Sequence, residues 1–179
     1  MQWGLIFGDA SVSGAFSALQ REDQTIIGAA YLYRQKKLVE QFDVCYGEEL
    51  TKIFEEGLLA CVEKIGAAID LENRIEASIP DTDEFSEQEG AYAQNLFIAL
   101  TYLLRFSVDG QPEFFERSIS MAAENIDLIS YEADSSYDDA AVENRERLVA
   151  SSMVDRLSRG RQGNSGLNLL AWLCGSNQI

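Results

Sequence analysis

Histidine is absent from the 179-residue sequence, and its absence excludes several kinds of chemistry. Histidine is the usual general base near neutral pH and the commonest metal ligand, and Ser-His-Asp and Cys-His centres both require it. Acid–base catalysis by carboxylates and a lysine nucleophile stay open. Because no catalytic constellation is visible either, we predict a protein that is not an enzyme and that needs no cofactor or metal.

Cysteine and long apolar runs are also scarce. The three cysteines form no C-x-x-C pair, which argues against a disulfide framework and a thiolate zinc site. Cys45 and Cys61 are interpreted as small apolar fillers. No stretch approaches the ~20 apolar residues of a membrane span, and the first residues lack the pattern of a signal peptide. These features predict a cytoplasmic protein that does not bind membranes.

Basic residues are few, with 14 lysines and arginines against 30 acidic residues and a formal net charge of −16. Residues 1–144 hold 28 acidic and 9 basic residues, for a net charge of −19, whereas residues 145–179 hold 2 and 5, for +3. Such a chain repels nucleic acids, which are polyanions. A protein partner with a basic surface is the complementary expectation, although solubility alone also explains the acidity.

What the sequence does contain is a globular composition, with 46% hydrophobic residues, and helical periodicity. Apolar residues recur at spacings of three and four, most clearly after Gly47, and no run shows the alternation of a half-buried strand. Pro80 and Pro112 fall at boundaries between periodic segments. We predict one all-α domain over residues 1–179, an antiparallel bundle of six to seven helices with a less acidic C-terminal segment from about residue 160.

The predicted helix boundaries follow from capping and charge. Arg34, Lys36 and Lys37 suit the C-terminal end of a helix that begins near Glu22. Ser86 and Glu89 have the spacing of a capping box. The predicted helices therefore cover about 22–37, 47–65, 71–79, 86–109, 112–129, 138–158 and 167–174.

A first acidic segment follows Pro80. As a calcium loop it lacks the glycine expected at the sixth position, which is Ser86. A solvated loop is the simplest interpretation, but so many neighbouring carboxylates also suit a cationic partner. We predict that partner binding involves Asp81, Asp83, Glu84 and Glu87.

A second segment combines acidic residues with tyrosines. Aromatic side chains anchor many protein interfaces, so this mixture is typical of a binding surface. A polar turn followed by acids that complement a helix dipole explains the same residues. The second predicted set is Tyr131, Glu132, Asp134, Tyr137, Asp138 and Asp139.

Four short motifs are similar to those of a known family. Residues 76–85 (EASIPDTDEF) resemble the I-P-x-x-x-x-[FY] signature of the bacterial domain-of-unknown-function family 416. Residues 24–34 resemble its first helix, Tyr46-Gly47 resembles the entry to its next helix, and residues 175–177 resemble its ending. The resemblance implies an all-helical bacterial protein associated with signalling kinases, and it supplies no catalytic residue.

Three functions are compatible with these features. The leading hypothesis is a bacterial immunity protein, a small acidic inhibitor that binds a basic toxin, for example a nuclease. The alternative, which the family resemblance favours, is a regulatory adaptor associated with histidine kinases. An enzyme with paired carboxylates and a divalent metal requires acidic residues on different helices to converge. The oligomeric state stays open.

Overall fold

The computed structural model describes residues 1–63, 68–133, 136–177 and 179, and the secondary structure of these residues is helical. A short 3-10 helix, Trp3–Leu5, precedes nine α-helices in the described part of the chain. They are α1 (Ala10–Ser17), α2 (Arg21–Tyr33), α3 (Lys36–Tyr46), α4 (Leu50–Glu63), α5 (Ala68–Ala77), α6 (Gln88–Asp109), α7 (Pro112–Ala133), α8 (Asp139–Ser158) and α9 (Gly166–Cys174).

The two longest helices, α6 and α7, form an antiparallel hairpin. Gly110 ends α6 with φ 71°, a left-handed conformation that glycine adopts without steric cost, and Pro112 begins α7, where its missing N–H is harmless. The Asn95 side chain donates to Asn125 Oδ1 at 2.9 Å, and the start of α6 contacts the end of α7. The hairpin therefore places the first residues of α6 beside the last residues of α7.

Helix α2 lies at the centre of the core. Its residues from Thr25 to Leu32 are all buried, and α4, α6, α7, α8 and α9 pack around it. Buried apolar side chains from Ile6 to Cys174 form one cluster. The C-terminal segment packs onto the rest of the fold through α9, where Leu169, Leu170 and Leu173 are fully buried. Burial of this kind supplies most of the stability of a helical protein.

The predicted count of six to seven helices is lower than the nine observed among the described residues, because α1 and α3 were not predicted as separate helices. The chain breaks at Gln35, with φ −102° and ψ 10°, so Lys36 and Lys37 begin α3 and do not end α2. Lys36 is stabilised there by Glu40 and Glu55, at 3.1 and 2.9 Å. An antiparallel arrangement of the whole bundle stays a prediction.

The capping box predicted at Ser86 is wrong. Helix α6 begins at Gln88, and its N-cap residue is Glu87, whose side chain makes no capping hydrogen bond. The Phe85 ring packs against Phe42 and Tyr46, with centroids 5.0 and 4.9 Å away, and it follows a turn over residues 82–84, so the helix begins only after Glu87. The N-termini of α7 and α8 lie where they were predicted, since Pro112 begins α7 and Asp138 caps α8.

None of the helices in the described part of the chain combines the length and the apolar character that crossing a bilayer requires.

Candidate functional site

The α6–α7 hairpin joins the two predicted acidic segments. Glu132, one residue before the end of α7, accepts hydrogen bonds from the Gln88 side chain and from Tyr92 Oη, the latter at 3.0 Å. Gln88 directly follows Glu87, the last carboxylate of the first segment. The two segments, which are separated by more than 40 residues in the sequence, are therefore neighbours in the fold.

The predicted carboxylates in these two segments point outward. We define the acidic end as the exposed side chains of Asp81, Asp83, Glu84, Glu87, Glu132, Asp138 and Asp139. Among the residues that the structure describes, no basic group lies within 4.0 Å of any of these seven carboxylates, since none occurs in an ion pair. Asp134 was predicted to belong to this surface and lies outside the described residues.

Seven of the described basic side chains form ion pairs elsewhere in the molecule. Each lies against carboxylates on its own or a neighbouring element, and this leaves the acidic end with an uncompensated negative charge. The ion pairs are Arg34–Glu146, Lys36–Glu40, Lys36–Glu55, Arg74–Glu56, Arg105–Glu72, Arg105–Glu76, Arg145–Glu146, Arg147–Asp9, Arg147–Glu143 and Arg161–Asp23.

Local hydrogen bonds fix several of the carboxylates. Asp81 Oδ1 accepts from the Asp83 backbone N–H at 2.9 Å. Asp138 Oδ1 accepts from the backbone N–H groups of Ala140 and Ala141, at 3.0 and 3.3 Å, and so caps α8. These bonds stabilise the turn and the helix start, and they also hold the carboxylates in place. The structural and the binding interpretations of these residues are therefore compatible.

The acidic loop before α6 is anchored by an aromatic cluster. Phe85 packs on Phe42 and Tyr46, and Tyr46 Oη accepts a hydrogen bond from the Glu87 backbone N–H at 2.9 Å. The Gln94 side chain donates to the Pro80 carbonyl at 2.8 Å. The loop is thus tied to α3 and α6 at both of its ends, and Asp81, Asp83 and Glu84 lie between these two attachments.

The two predicted tyrosines have different environments. Tyr131 is 67% exposed, which makes it one of the most exposed large hydrophobic side chains in the described chain. Its ring lies edge-on to Tyr137, with centroids 5.6 Å apart. Tyr137 is only partly exposed and donates a hydrogen bond to Asp127 Oδ1, and this bond raises the pKa of Tyr137 to about 12. Tyr131 is therefore the tyrosine that a partner can contact, whereas the hydrogen bond to Asp127 holds Tyr137 in place beside it.

A cleft between α7 and α8 adjoins the acidic end and was not predicted from the sequence. This α7–α8 cleft has a volume of about 660 Å³, which is within the range of ligand pockets. Polar residues, among them Arg34, Arg145 and Asn177, line part of it. The rest of its lining includes Ile126, Ile129, Tyr137, Ala141, Val142 and Val149.

A buried ion pair lies at the base of this cleft. The Arg34 guanidinium is 3% exposed and bonds both carboxylate oxygens of Glu146, which is fully buried. Tyr31 Oη donates to Glu146 Oε2 at 2.9 Å, and Arg34 Nε donates to the Asn177 carbonyl at 2.9 Å. Desolvation alone would lower the pKa of Arg34, but the Glu146 carboxylate raises it, so the guanidinium stays charged. Each charge in this pair is therefore matched by a partner.

The sequence does contain a signal for this pair. Glu146 lies on the apolar stripe of α8 that also carries Val142, Val149 and Met153, and a carboxylate on such a stripe requires a buried cation. Arg34 was interpreted as a cation at a helix end, and its position opposite Glu146 depends on the packing of α2 against α8.

The chemistry available to the described residues is limited. No group of three or more cysteines, aspartates or glutamates among them is placed to hold a metal ion. Cys61 and Cys174 are buried, and desolvation raises the pKa of each thiol to about 12. Cys45 is exposed, so its interpretation as an apolar filler is wrong, whereas Cys61 does fill the core.

No protein-family model matches the chain, and no similar protein was found among the curated proteins or the solved structures. The resemblance to family 416 therefore stays a prediction that depends on the four short motifs alone.

Proposed function

We propose that this chain is a non-catalytic acidic binding protein that covers a basic surface of a protein partner, as a bacterial immunity protein covers a toxin. The observation that carries the proposal is the acidic end, where seven exposed carboxylates have no cation within 4.0 Å among the described residues. A partner's lysines and arginines would supply the missing counter-ions. A basic nuclease toxin fits, because its active site binds the phosphates of a polyanion.

Fast association is the expected advantage of this arrangement. Electrostatic steering raises association rate constants from about 10⁵–10⁶ to as much as 10⁸–10⁹ M⁻¹s⁻¹ at low salt. An inhibitor that must capture a toxin before it acts benefits from such a rate. Such steering requires charges that are not already neutralised within the chain. The carboxylates of the acidic end meet this requirement, because no described cation lies within 4.0 Å of them.

The carboxylates are held on ordered elements. Phe85 anchors the loop that carries Asp81 to Glu87, two hydrogen bonds hold Glu132, and Asp138 is fixed as the N-cap of α8. A surface that is already ordered loses less side-chain entropy on binding, which favours affinity. Tyr131 adds an exposed aromatic ring of the kind that dominates binding energy at interfaces.

Co-expression with the product of the adjoining gene tests the proposal. We expect a stable complex and, where that product is toxic, rescue of cell growth. Isothermal titration with the purified pair should give an affinity that falls as salt is added. No complex and no rescue would remove the immunity role, and a complex with a kinase instead would favour the adaptor.

Two charge-reversal variants locate the surface. Glu84→Lys with Glu87→Lys changes the acidic end, whereas Asp109→Lys with Glu113→Lys changes exposed residues at the opposite end of the α6–α7 hairpin. Both variants alter the net charge equally. We expect the first to slow association at least about tenfold and the second to have a much smaller effect. Equal effects in stopped-flow measurements would show that net charge, and not the acidic end, guides binding.

A further inference from the structure

The interior of the α7–α8 cleft differs chemically from the acidic end beside it. Ile129 is half-buried and Ala141 is exposed, and together with the buried Val142 and Val149 they give the cleft an apolar wall. Covering the remaining exposed surface of Ile129 and Ala141 with a partner's apolar group lowers the free energy of the complex. The cleft is therefore suited to an apolar group.

The charged side chains of the cleft carry no net charge. Glu146 pairs with Arg34 and lies 3.4 Å from Arg145 Nε, while Arg145 also donates to Ser130 Oγ at 3.1 Å. Asp138 lies at the cleft and supplies a second negative charge. With Asp138 included, the side-chain charges of two cations and two carboxylates at the cleft sum to zero, although no described cation lies within 4.0 Å of Asp138 itself.

The surroundings of the cleft are strongly acidic. Asp138 belongs both to the cleft and to the acidic end, and Asp139 directly follows it. When a partner's apolar side chain fills the cleft, the partner residues on either side of it lie against uncompensated carboxylates. Charge complementarity requires these neighbouring groups to be lysines or arginines.

We infer that the α7–α8 cleft seats an apolar side chain of the basic partner, and that lysines or arginines on either side of it contact the acidic end. This inference rests on the proposed function and adds the chemistry of the segment that is bound. The partner segment combines one buried apolar residue, which supplies affinity, with flanking cations, which supply orientation and association rate.

Two synthetic peptides test the inference. Acetyl-Arg-Arg-Leu-Arg-Arg-amide and its serine counterpart carry the same charge and differ in the central side chain. We expect isothermal titration at low ionic strength to show that the leucine peptide binds about tenfold more tightly, since one apolar side chain is buried. Equal affinities would overturn the cleft assignment, because charge alone would then explain binding.

Tryptophan substitutions at neighbouring alanines provide matched variants. Ala141 lines the cleft and Ala140 does not, and both are exposed at the start of α8. Ala141→Trp should abolish the preference for the leucine peptide, whereas Ala140→Trp should retain it. Ala133→Trp, on the opposite side of the cleft, is expected to behave like Ala141→Trp. Circular dichroism melts should show that all three variants fold.

Other outcomes separate this inference from the proposed function. If Ala140→Trp and Ala141→Trp bind the peptides equally, the cleft inference fails, while a salt-dependent complex with the adjoining gene product would still support the acidic end. A second copy of the chain is the other candidate occupant. Sedimentation showing self-association that Ala141→Trp abolishes would assign the cleft to that copy and overturn the inference.

Discussion

Carboxylates on the face formed by α4, α5 and α6 have neighbouring cations, whereas those at the acidic end have none among the described residues. Arg105 on α6 lies 2.7 Å from Glu72 and also contacts Glu76, and Arg74 lies 2.9 Å from Glu56. Glu76 is exposed like the carboxylates of the acidic end, whereas Glu56 and Glu72 are half-buried. Net charge therefore does not identify the surface available to a partner, and the pattern of pairing does.

The buried Arg34–Glu146 pair is expected to show the largest effect of removing a neighbouring counter-ion, because water cannot solvate the charge that is left. Glu146→Gln keeps an acceptor for Tyr31 but leaves Arg34 without a counter-ion. We expect this variant to lower the free energy of unfolding by about 3–5 kcal/mol, measured by urea denaturation. Adding Arg34→Met should recover much of the loss, since the uncompensated charge is then removed. If the double variant is no more stable than Glu146→Gln, the pairing of charges is not the cause.

Removing a cation from the paired face should have a smaller effect. Arg105→Met keeps the aliphatic stem and removes the charge that Glu72 and Glu76 share. We expect a loss of about 0.5–1 kcal/mol in the free energy of unfolding, because exposed ion pairs contribute little.

The same urea measurements on Glu84→Lys with Glu87→Lys should show a change within about 0.5 kcal/mol, since these carboxylates have no cation to lose. A larger destabilisation there than in Arg105→Met would contradict the contrast between the two regions.

Tyr137 gives the smallest expected effect, and it is confined to alkaline pH. Its hydrogen bond to Asp127 raises the folded-state pKa to about 12, against an ordinary value near 10. The neutral phenol is therefore favoured in the folded state, and the stability it provides is fully present below pH 10 and is lost as the pH rises to 12. Tyr137→Phe should flatten the decline of stability over this interval, as followed by urea denaturation. If the free energy of unfolding falls with pH equally in Tyr137→Phe and in the unsubstituted protein, the prediction is refuted.

Local rules predicted much of the helical structure. Pro112 and the acidic pair Asp138-Asp139 correctly marked the starts of α7 and α8, because both signals act through the backbone nearby, although Asp138, expected in the first turn, is the N-cap. The helix break at Gln35 and the start of α6 were missed. These two features depend on tertiary packing, since Arg34 turns into the core toward Glu146 and Phe85 packs against α3.

The candidate site was predictable only in part. The exposure of the acidic residues follows from their composition and spacing, and the structure places the described members on the surface. The contact of Glu132 with Gln88 and Tyr92 joins residues 44 and 40 positions apart in the sequence, and the α7–α8 cleft depends on how two helices diverge. Neither feature produces a pattern of neighbouring residues in the sequence from which it could be predicted.

The length of the α6–α7 hairpin has a consequence for how the protein is recognised. Each helix has 22 residues, and a rise of 1.5 Å per residue gives a length of about 33 Å. The Debye length at physiological ionic strength is only about 8 Å. Charges near the connection between the two helices are thus several Debye lengths away from Glu132. The two ends of the hairpin are therefore electrostatically independent surfaces.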